Sequence, residues 1–314
     1  MKIISFLFAL LLSGAATAQG YPTKTVRFVS GVTPGAASDT MARMLAEKLS
    51  PILGQPVIVE NRLGAGGLVG ARYVAQQAEP DGHTIMMYAS AFTVSTLLSP
   101  GLDPKELVPV AMVATIPTVL ITPPGKYKTL AEFVGAAKAQ PGKLVCADAG
   151  IGSATHMAFE RFRFAAGFEA INVHTKGPGE ALTEVLSGRA DCYFALIFQA
   201  QKLRDAGKVG ALVVSSPRRS SLMPDLPTTV EAGYPNSDYN FWVGALVSAK
   251  TPRDIVERLH KEINALVQSP EISDRIRKLG ADPLTLSIPE FDAMIKRELE
   301  ENAQLIKKAG ITAN

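Results

Sequence analysis

Residues 26–88 read VRFVSGVTPGAASDTMARMLAEKLSPILGQPVIVENRLGAGGLVGARYVAQQAEPDGHTIMMY. Val26-Arg27-Phe28-Val29 has strand character and runs into a Gly/Pro loop, and apolar residues then recur at helical spacing from Asp39 to Leu49. Pro56-Val57-Ile58-Val59 is a second strand. The glycine-rich turn Gly64-Ala65-Gly66-Gly67 leads into a helix that runs to Gln77. Pro80-Asp81-Gly82 marks a turn and Thr84 to Tyr88 a third strand. The order β-α-β-α-β predicts a parallel sheet covered by helices.

Downstream, Val108 to Ile121 is a long apolar stretch interrupted by Pro117 and closed by Pro123-Pro124-Gly125, as expected of a crossing between lobes. The alternation then restarts. Helices are expected over 130–139, 153–166 and 179–187, with strands over 144–147, 171–174, 191–196 and 210–215. Pro224-Asp225-Leu226-Pro227 is a further break, and Phe241 to Val247 a strand leading back. Two amphipathic helices close the chain, over 252–267 with Thr251 as N-cap and over 289–309 with Ser287 and Pro289 at the start. The expected fold class is α/β: two parallel-rich sheets flanked by helices, with an interlobe cleft. Residues 19–121 and 222–314 form lobe 1 and residues 122–221 form lobe 2. Clefts of this kind hold small ligands.

The N-terminus is an export signal. Lys2 precedes an apolar run from Ile3 to Leu12, and Ala16-Thr17-Ala18 is a small-x-small cleavage site. The run is too short to cross a bilayer, which takes roughly 20 residues. Residues 1–18 are thus a signal peptide cleaved after Ala18, and the mature chain is expected in the periplasm. Gln19 in place of Cys argues against a lipid anchor. Loss of Lys2 lowers the formal charge from +3 to +2, a balance that does not suit nucleic-acid binding. Cys146 and Cys192 are the two cysteines. In an oxidising compartment they can pair; buried thiols in strands are the equal alternative.

Two loops carry the chemistry. Thr33-Pro34-Gly35-Ala36-Ala37-Ser38-Asp39 joins the first strand to the first helix. Its small residues leave main-chain N–H groups open, Ser38 or Asp39 can cap the helix, and the positive end of the helix dipole suits a carboxylate. Asp148-Ala149-Gly150-Ile151-Gly152-Ser153-Ala154-Thr155-His156 holds the equivalent place after the first strand of the second series. Each alone reads as an ordinary strand-to-helix turn; their recurrence in both lobes favours a pair of opposed donor loops. The loop Thr175-Lys176-Gly177-Pro178-Gly179-Glu180 offers a charge at Lys176, although an exposed loop lysine is usually just solvated.

Enzyme and metal motifs fail. Gly64-Ala65-Gly66-Gly67-Leu68-Val69-Gly70 puts its third glycine one position late for a dinucleotide fingerprint. Ser153 lies outside a Gly-x-Ser-x-Gly elbow, and no carboxylate is placed to orient His156. Histidines at 83, 156, 174 and 260 are scattered, and His156 with Glu160 does not make a His-Glu-x-x-His helix. No catalytic residue, metal or cofactor is expected.

The order of motifs resembles the Bug receptors, the periplasmic substrate-binding components of tripartite tricarboxylate transporters. The resemblance rests on Tyr21-Pro22-Thr23-Lys24, the Pro-Gly-x-x-Ser-Asp loop at 34–39, Leu53-Gly54-Gln55-Pro56-Val57 and Glu60-Asn61-Arg62-Leu63-Gly64-Ala65-Gly66-Gly67. It continues through Pro80-Asp81-Gly82-His83-Thr84, Pro141-Gly142-Lys143-Leu144, Gly152-Ser153-x-x-His156 and Leu222-Met223-Pro224-Asp225-Leu226-Pro227-Thr228, and covers the mature chain.

The resemblance implies a two-lobed periplasmic-binding-protein fold, type II-like, that closes on a carboxylate held by backbone amides and bridging waters. It also implies membrane transporter subunits as partners, or for some members a sensing role without transport. A monomer without nucleic-acid partners is expected. A hydrolase or transferase on the same scaffold is the competing class. By position, Thr33, Gly35, Ala36, Ala37, Ser38 and Asp39 line one wall, Ser90 and Ala91 follow the third strand, and Ser153, Thr155 and His156 form the opposing wall with Thr175 behind. Ala36 stands where the family commonly has glycine and Thr175 where it has tyrosine. Ala195 is a further position that the resemblance places in the site; near it an aspartate is common, whereas here Ala195-Leu196-Ile197-Phe198 is wholly apolar. The expected ligand is therefore a small organic carboxylate without an ammonium group, carrying an apolar or aromatic body.

Overall fold

A computed structural model of the chain describes residues 20–312 except Asn240. The expected signal peptide, residues 1–18, lies outside the described residues. Apolar runs rich in Val, Ile and Phe become most of the strands of two sheets. The first sheet takes β1 (Val26–Ser30), β2 (Val57–Asn61), β3 (Thr84–Ala89), β4 (Leu107–Thr115), β10 (Trp242–Ser248) and β11 (Asp282–Pro283), in the order β11-β4-β10-β3-β1-β2. The second takes β5 (Thr118–Thr122), β6 (Leu144–Asp148), β7 (Ala170–His174), β8 (Cys192–Leu196) and β9 (Gly210–Val214), in the order β7-β6-β8-β5-β9.

Both sheets are mixed rather than parallel-rich. β1 pairs in parallel with β2 and β3, and β6 with β7 and β8. The strands that carry the chain across, β4, β5 and β10, pair antiparallel. A connecting strand enters its sheet from the end opposite to that of a βαβ unit, so its direction reverses.

The crossings also fall elsewhere than expected. The chain leaves the first sheet after Thr115 and enters the second at Thr118, so residues 118–121 belong with the second sheet. Pro117 breaks the ladder, and the turn there puts both strands in use. The return comes at Trp242. Residues 222–239 pack on the second sheet: Met223 and Leu226 enter its core, Val214 bridges to Thr228, and the Tyr239 N–H donates to the Ser215 carbonyl at 2.8 Å. The Pro224–Pro227 break is a surface turn of that lobe, because its flanking apolar side chains are buried there.

The helices are α1 (Ala37–Leu53), α2 (Leu68–Arg72), prolonged by a π turn over Tyr73–Gln77, α3 (Ala91–Leu98), α4 (Leu130–Ala139), α5 (Ala154–Ala166), α6 (Pro178–Leu186), α7 (Ile197–Asp205), α8 (Arg253–Gln268), α9 (Pro270–Lys278) and α10 (Ile288–Ala309). Ser287 caps α10 with Glu290 in a capping box. At α8 the N-cap position is Pro252, one residue later than Thr251. The short helices α3, α7 and α9 were not expected from the sequence. Each sheet is buried on both faces, one cluster on either side.

Helix α10 ties the lobes together. Phe291 and Ile295 enter a core of the first sheet and Leu305 a core of the second. Behind it, Arg161 of α5 donates to the Asn302 side-chain oxygen at 3.0 Å, and the Asn302 amide donates to Thr93 Oγ1 of α3 at 2.9 Å. Trp242 Nε1 donates to Glu298 Oε2 at 2.6 Å, and burial pushes the Glu298 carboxyl up to about 8.

Cys146 and Cys192 stand opposite one another in the β6–β8 pairing and form a disulfide, with Cα atoms 4.6 Å apart. The bond closes a loop across 46 residues. Loops of that size lose enough unfolded-state entropy to stabilise a domain by about 2–4 kcal/mol. Urea unfolding with and without a thiol reductant checks this: reduction should lower the unfolding free energy by that amount, and an unchanged free energy would mean the thiols are free.

Candidate functional site

Both expected loops sit at the carboxyl ends of parallel strands, the usual place for a ligand crevice in α/β sheets. In the first, the Ala36 N–H donates to the Thr33 carbonyl at 3.1 Å and Gly35 has φ +85°, so the chain turns sharply into α1. Thr33 and Gly35 are exposed, Ala36 and Ala37 half-buried. The N-cap residue is Ala36, which has no side-chain cap. Neither Ser38 nor Asp39 takes that role.

Asp39 reaches back from the first turn instead. Its Oδ2 accepts the Gly35 N–H at 2.9 Å and Arg43 Nε at 2.9 Å, while Oδ1 accepts Asn61 Nδ2 at 2.7 Å. Burial of the carboxylate would raise its pKa, but these bonds outweigh it and hold the group below the usual range. The Asp39 side chain is fully buried, and its carboxylate shapes the loop. The N–H groups of Ala37, Ser38 and Asp39, first-turn donors without an intrahelical acceptor, have no partner among the described residues.

The second loop repeats the device. Asp148, fully buried at the end of β6, accepts the Gly150 N–H on Oδ1 at 2.7 Å and faces His174 Nδ1 through Oδ2 at 2.8 Å. Ser153 caps α5 by accepting the His156 N–H at 3.2 Å. Thr155 Oγ1 accepts the Ala149 N–H at 2.9 Å. Thr175 Oγ1 donates to the Asp148 carbonyl at 2.7 Å, so the hydroxyls of Thr155 and Thr175 hold the loop in shape. The N–H groups of Ala154 and Thr155 have no partner among the described residues.

His156 is nearly buried and accepts the Gly152 N–H on Nδ1 at 3.0 Å, which leaves its own proton on Nε2. It packs edge-on against His174, ring centroids 4.8 Å apart. Asp148, His156 and His174 each place a donor atom within 4.8 Å of the others. A metal ion needs an unprotonated ring nitrogen from each histidine. The one His156 has is already occupied by Gly152, so the trio fits a hydrogen-bonded brace better than a metal centre.

Two expected site residues lie elsewhere. Ser90 is fully buried, its Oγ 3.2 Å from Tyr239 Oη and its carbonyl accepting Thr93 Oγ1 at 2.8 Å. Ala195 is fully buried in a core of the second sheet with Val119 and Ile121, because alternate residues of β8 face inward there. Ala91 stays half-buried at the start of α3.

Contact across the lobes comes from α3. A Cβ placed on Gly152 would lie 3.0 Å from Val94 Cγ1 and 3.4 Å from Leu98 Cδ1, both on α3. A cavity of about 250 Å³ lies there, lined by Ala65, Gly66, Val94, Ser95, Leu98 and Ile151 among others. The signal for α3 was an apolar step from Val94 to Leu98 after Ser90, but its β-branched residues read equally as strand. The Gly64–Gly67 turn earns its glycines by close approach: a Cβ on Gly31 would meet Gly67 Cα at 2.5 Å, and one on Gly67 would meet Tyr88 at 2.4 Å.

The profile described as tripartite tricarboxylate transporter family receptor matches residues 41–311. Protein BugT of Bordetella pertussis is 30% identical over 305 residues, covering 95% of this chain and 93% of its own. A solved R. palustris protein with adipate is 28% identical with TM-score 0.77, covering 93% of this chain and 99% of its own. MatC from Rhodopseudomonas palustris with bound malate is 28% identical with TM-score 0.74, covering 91% and 100%.

Burial pushes the His156 imidazole down to about 4, against the pull of Asp148 and with a small push from His174. The unfolded chain takes up a proton near pH 6.5 that the folded site refuses. The site's contribution is therefore complete above pH 6.5 and is lost as the pH falls toward 4. In urea unfolding, wild type should lose about 2–3 kcal/mol more across that window than His156→Gln. Parallel pH profiles for the two would contradict the assignment.

Proposed function

Because the chain belongs to the tripartite tricarboxylate transporter receptor family, we propose that it is a periplasmic solute receptor that captures a small organic carboxylate between its lobes and delivers it to the membrane subunits of such a transporter. The observation that carries this is the pair of helix-start loops, each with main-chain N–H groups left open: Ala37, Ser38 and Asp39 in one, Ala154 and Thr155 in the other. Open amides at the positive end of a helix bind an anion without a charged side chain. The neighbours with adipate and malate support a carboxylate as that anion.

The ligand lacks an ammonium group. An ammonium needs a carboxylate partner, and the acids nearest the loops, Asp39 and Asp148, are fully buried and engaged with their own loops. Ala195 and Ile197 face the core and take no part in this selection. A binding role rather than a hydrolytic one fits the same bonds: Ser153 Oγ caps α5, and His156 Nδ1 is held by Gly152 and so cannot act as its base.

Proline at the first helical position keeps a helix and deletes one N–H. The residues before Ala37 and Ala154 are extended, with ψ 160° and 159°, as a following proline requires. A hydrogen bond to a charged group contributes about 1.5–3 kcal/mol, or roughly 10–100-fold in affinity. Ala37→Pro and Ala154→Pro should each weaken carboxylate binding by that factor in calorimetry while leaving the thermal midpoint of the free protein in place. Unchanged affinity in both would remove the amides from the site.

A further inference from the structure

We infer that the cavity between α3 and the 151–152 turn seats the apolar body of the ligand, so that the receptor selects a monocarboxylate with an aromatic or aliphatic tail over a dicarboxylate. This rests on the carboxylate reading above and adds to it the class of ligand and the residues that choose it.

The cavity measures about 250 Å³, and its side-chain walls are Val94 and Leu98 from the first lobe and Ile151 from the second. Its polar side chains are the hydroxyls of Ser95 and Ser99, and no lining residue carries a charge. An apolar cavity of roughly 150 Å³ accepts a benzene ring, so this space holds a ring or a short chain. A second carboxylate placed here would exchange part of its hydration for apolar side chains with no cation to meet it, which is unfavourable.

Its position relative to the open amides follows from chain continuity. Gly152 lines the cavity two residues before Ala154, whose N–H is free. On the other wall, Gly66 lines it while the adjoining Gly67 backs onto Gly31, the residue that leads into the 33–39 loop. A carboxylate at the helix starts therefore projects its tail into this space. Gly152 keeps the space open: at φ +72° it takes a conformation that side chains avoid, and a Cβ there would press on Val94. Because the walls come from both lobes, a tail that fills them binds the closed state better than the open one and draws the equilibrium toward closure.

Calorimetry on the full mature chain tests this with benzoate, hexanoate, acetate, succinate and adipate. Benzoate or hexanoate should bind at least tenfold more tightly than acetate and than either dicarboxylate. Leu98→Arg places a cation in a half-buried wall position, and should weaken benzoate at least tenfold while strengthening adipate. Dicarboxylates binding best to wild type, or a benzoate-to-adipate ratio unmoved by Leu98→Arg, would overturn the inference and leave the carboxylate reading standing. Binding of none of the five would overturn that reading, and this inference with it. The wild-type ranking needs no variant, so a poorly folded Leu98→Arg does not rescue the claim.

Discussion

Two buried carboxylates shape everything near the cleft. Asp39 and Asp148 sit in different lobes and on different elements, one in the first turn of a helix and the other at the end of a strand. Each accepts the N–H of a glycine in its own loop, Gly35 and Gly150, and each spends its other oxygen on a neighbouring side chain, Asn61 and His174. Such a buried charge is tolerated only when it is paired and hydrogen-bonded. The pairing bends both loops so that helix-start amides stand open. It also keeps both carboxylates engaged with their own loops. In the function we propose, anion selectivity and loop shape come from the same bonds.

The mixed sheets place those loops together. In each lobe the parallel strands bring strand-to-helix turns to one edge, and the antiparallel crossing strands carry the chain between lobes without disturbing that edge. Through Asn302, helix α10 joins Arg161 of α5 to Thr93 of α3. Those are the two helices whose starts and sides line the site we propose.

Much of this was legible in the sequence, and the misses have physical causes. Period-2 and period-3.6 apolar patterns separated by Gly and Pro located the strands and long helices. The two donor loops were visible because small residues recur before a helical pattern. Their internal wiring was not visible. Asp39 looks like a cap or a ligand until Arg43, Gly35 and Asn61 are seen around it, although the Asp39–Arg43 spacing of four was a clue. Ser90 and Ala195 follow or end strands as site residues do, yet which side of a strand end faces the core is a tertiary matter. The crossing at Pro117 was masked because β4 and β5 are apolar throughout, and α3 because its β-branched residues fit a strand as well as a helix. Proline breaks at 224–227 suggested a domain boundary, but Met223 and Leu226 beside them are core residues.

The central claim is that main-chain amides hold a carboxylate and no group in the cleft holds an ammonium. The most direct measurement is calorimetry with a matched pair, 3-phenylpropanoate against phenylalanine, which differ only by the amino group. Binding of 3-phenylpropanoate with little or none for phenylalanine is the predicted result. Equal or tighter binding of phenylalanine would contradict it.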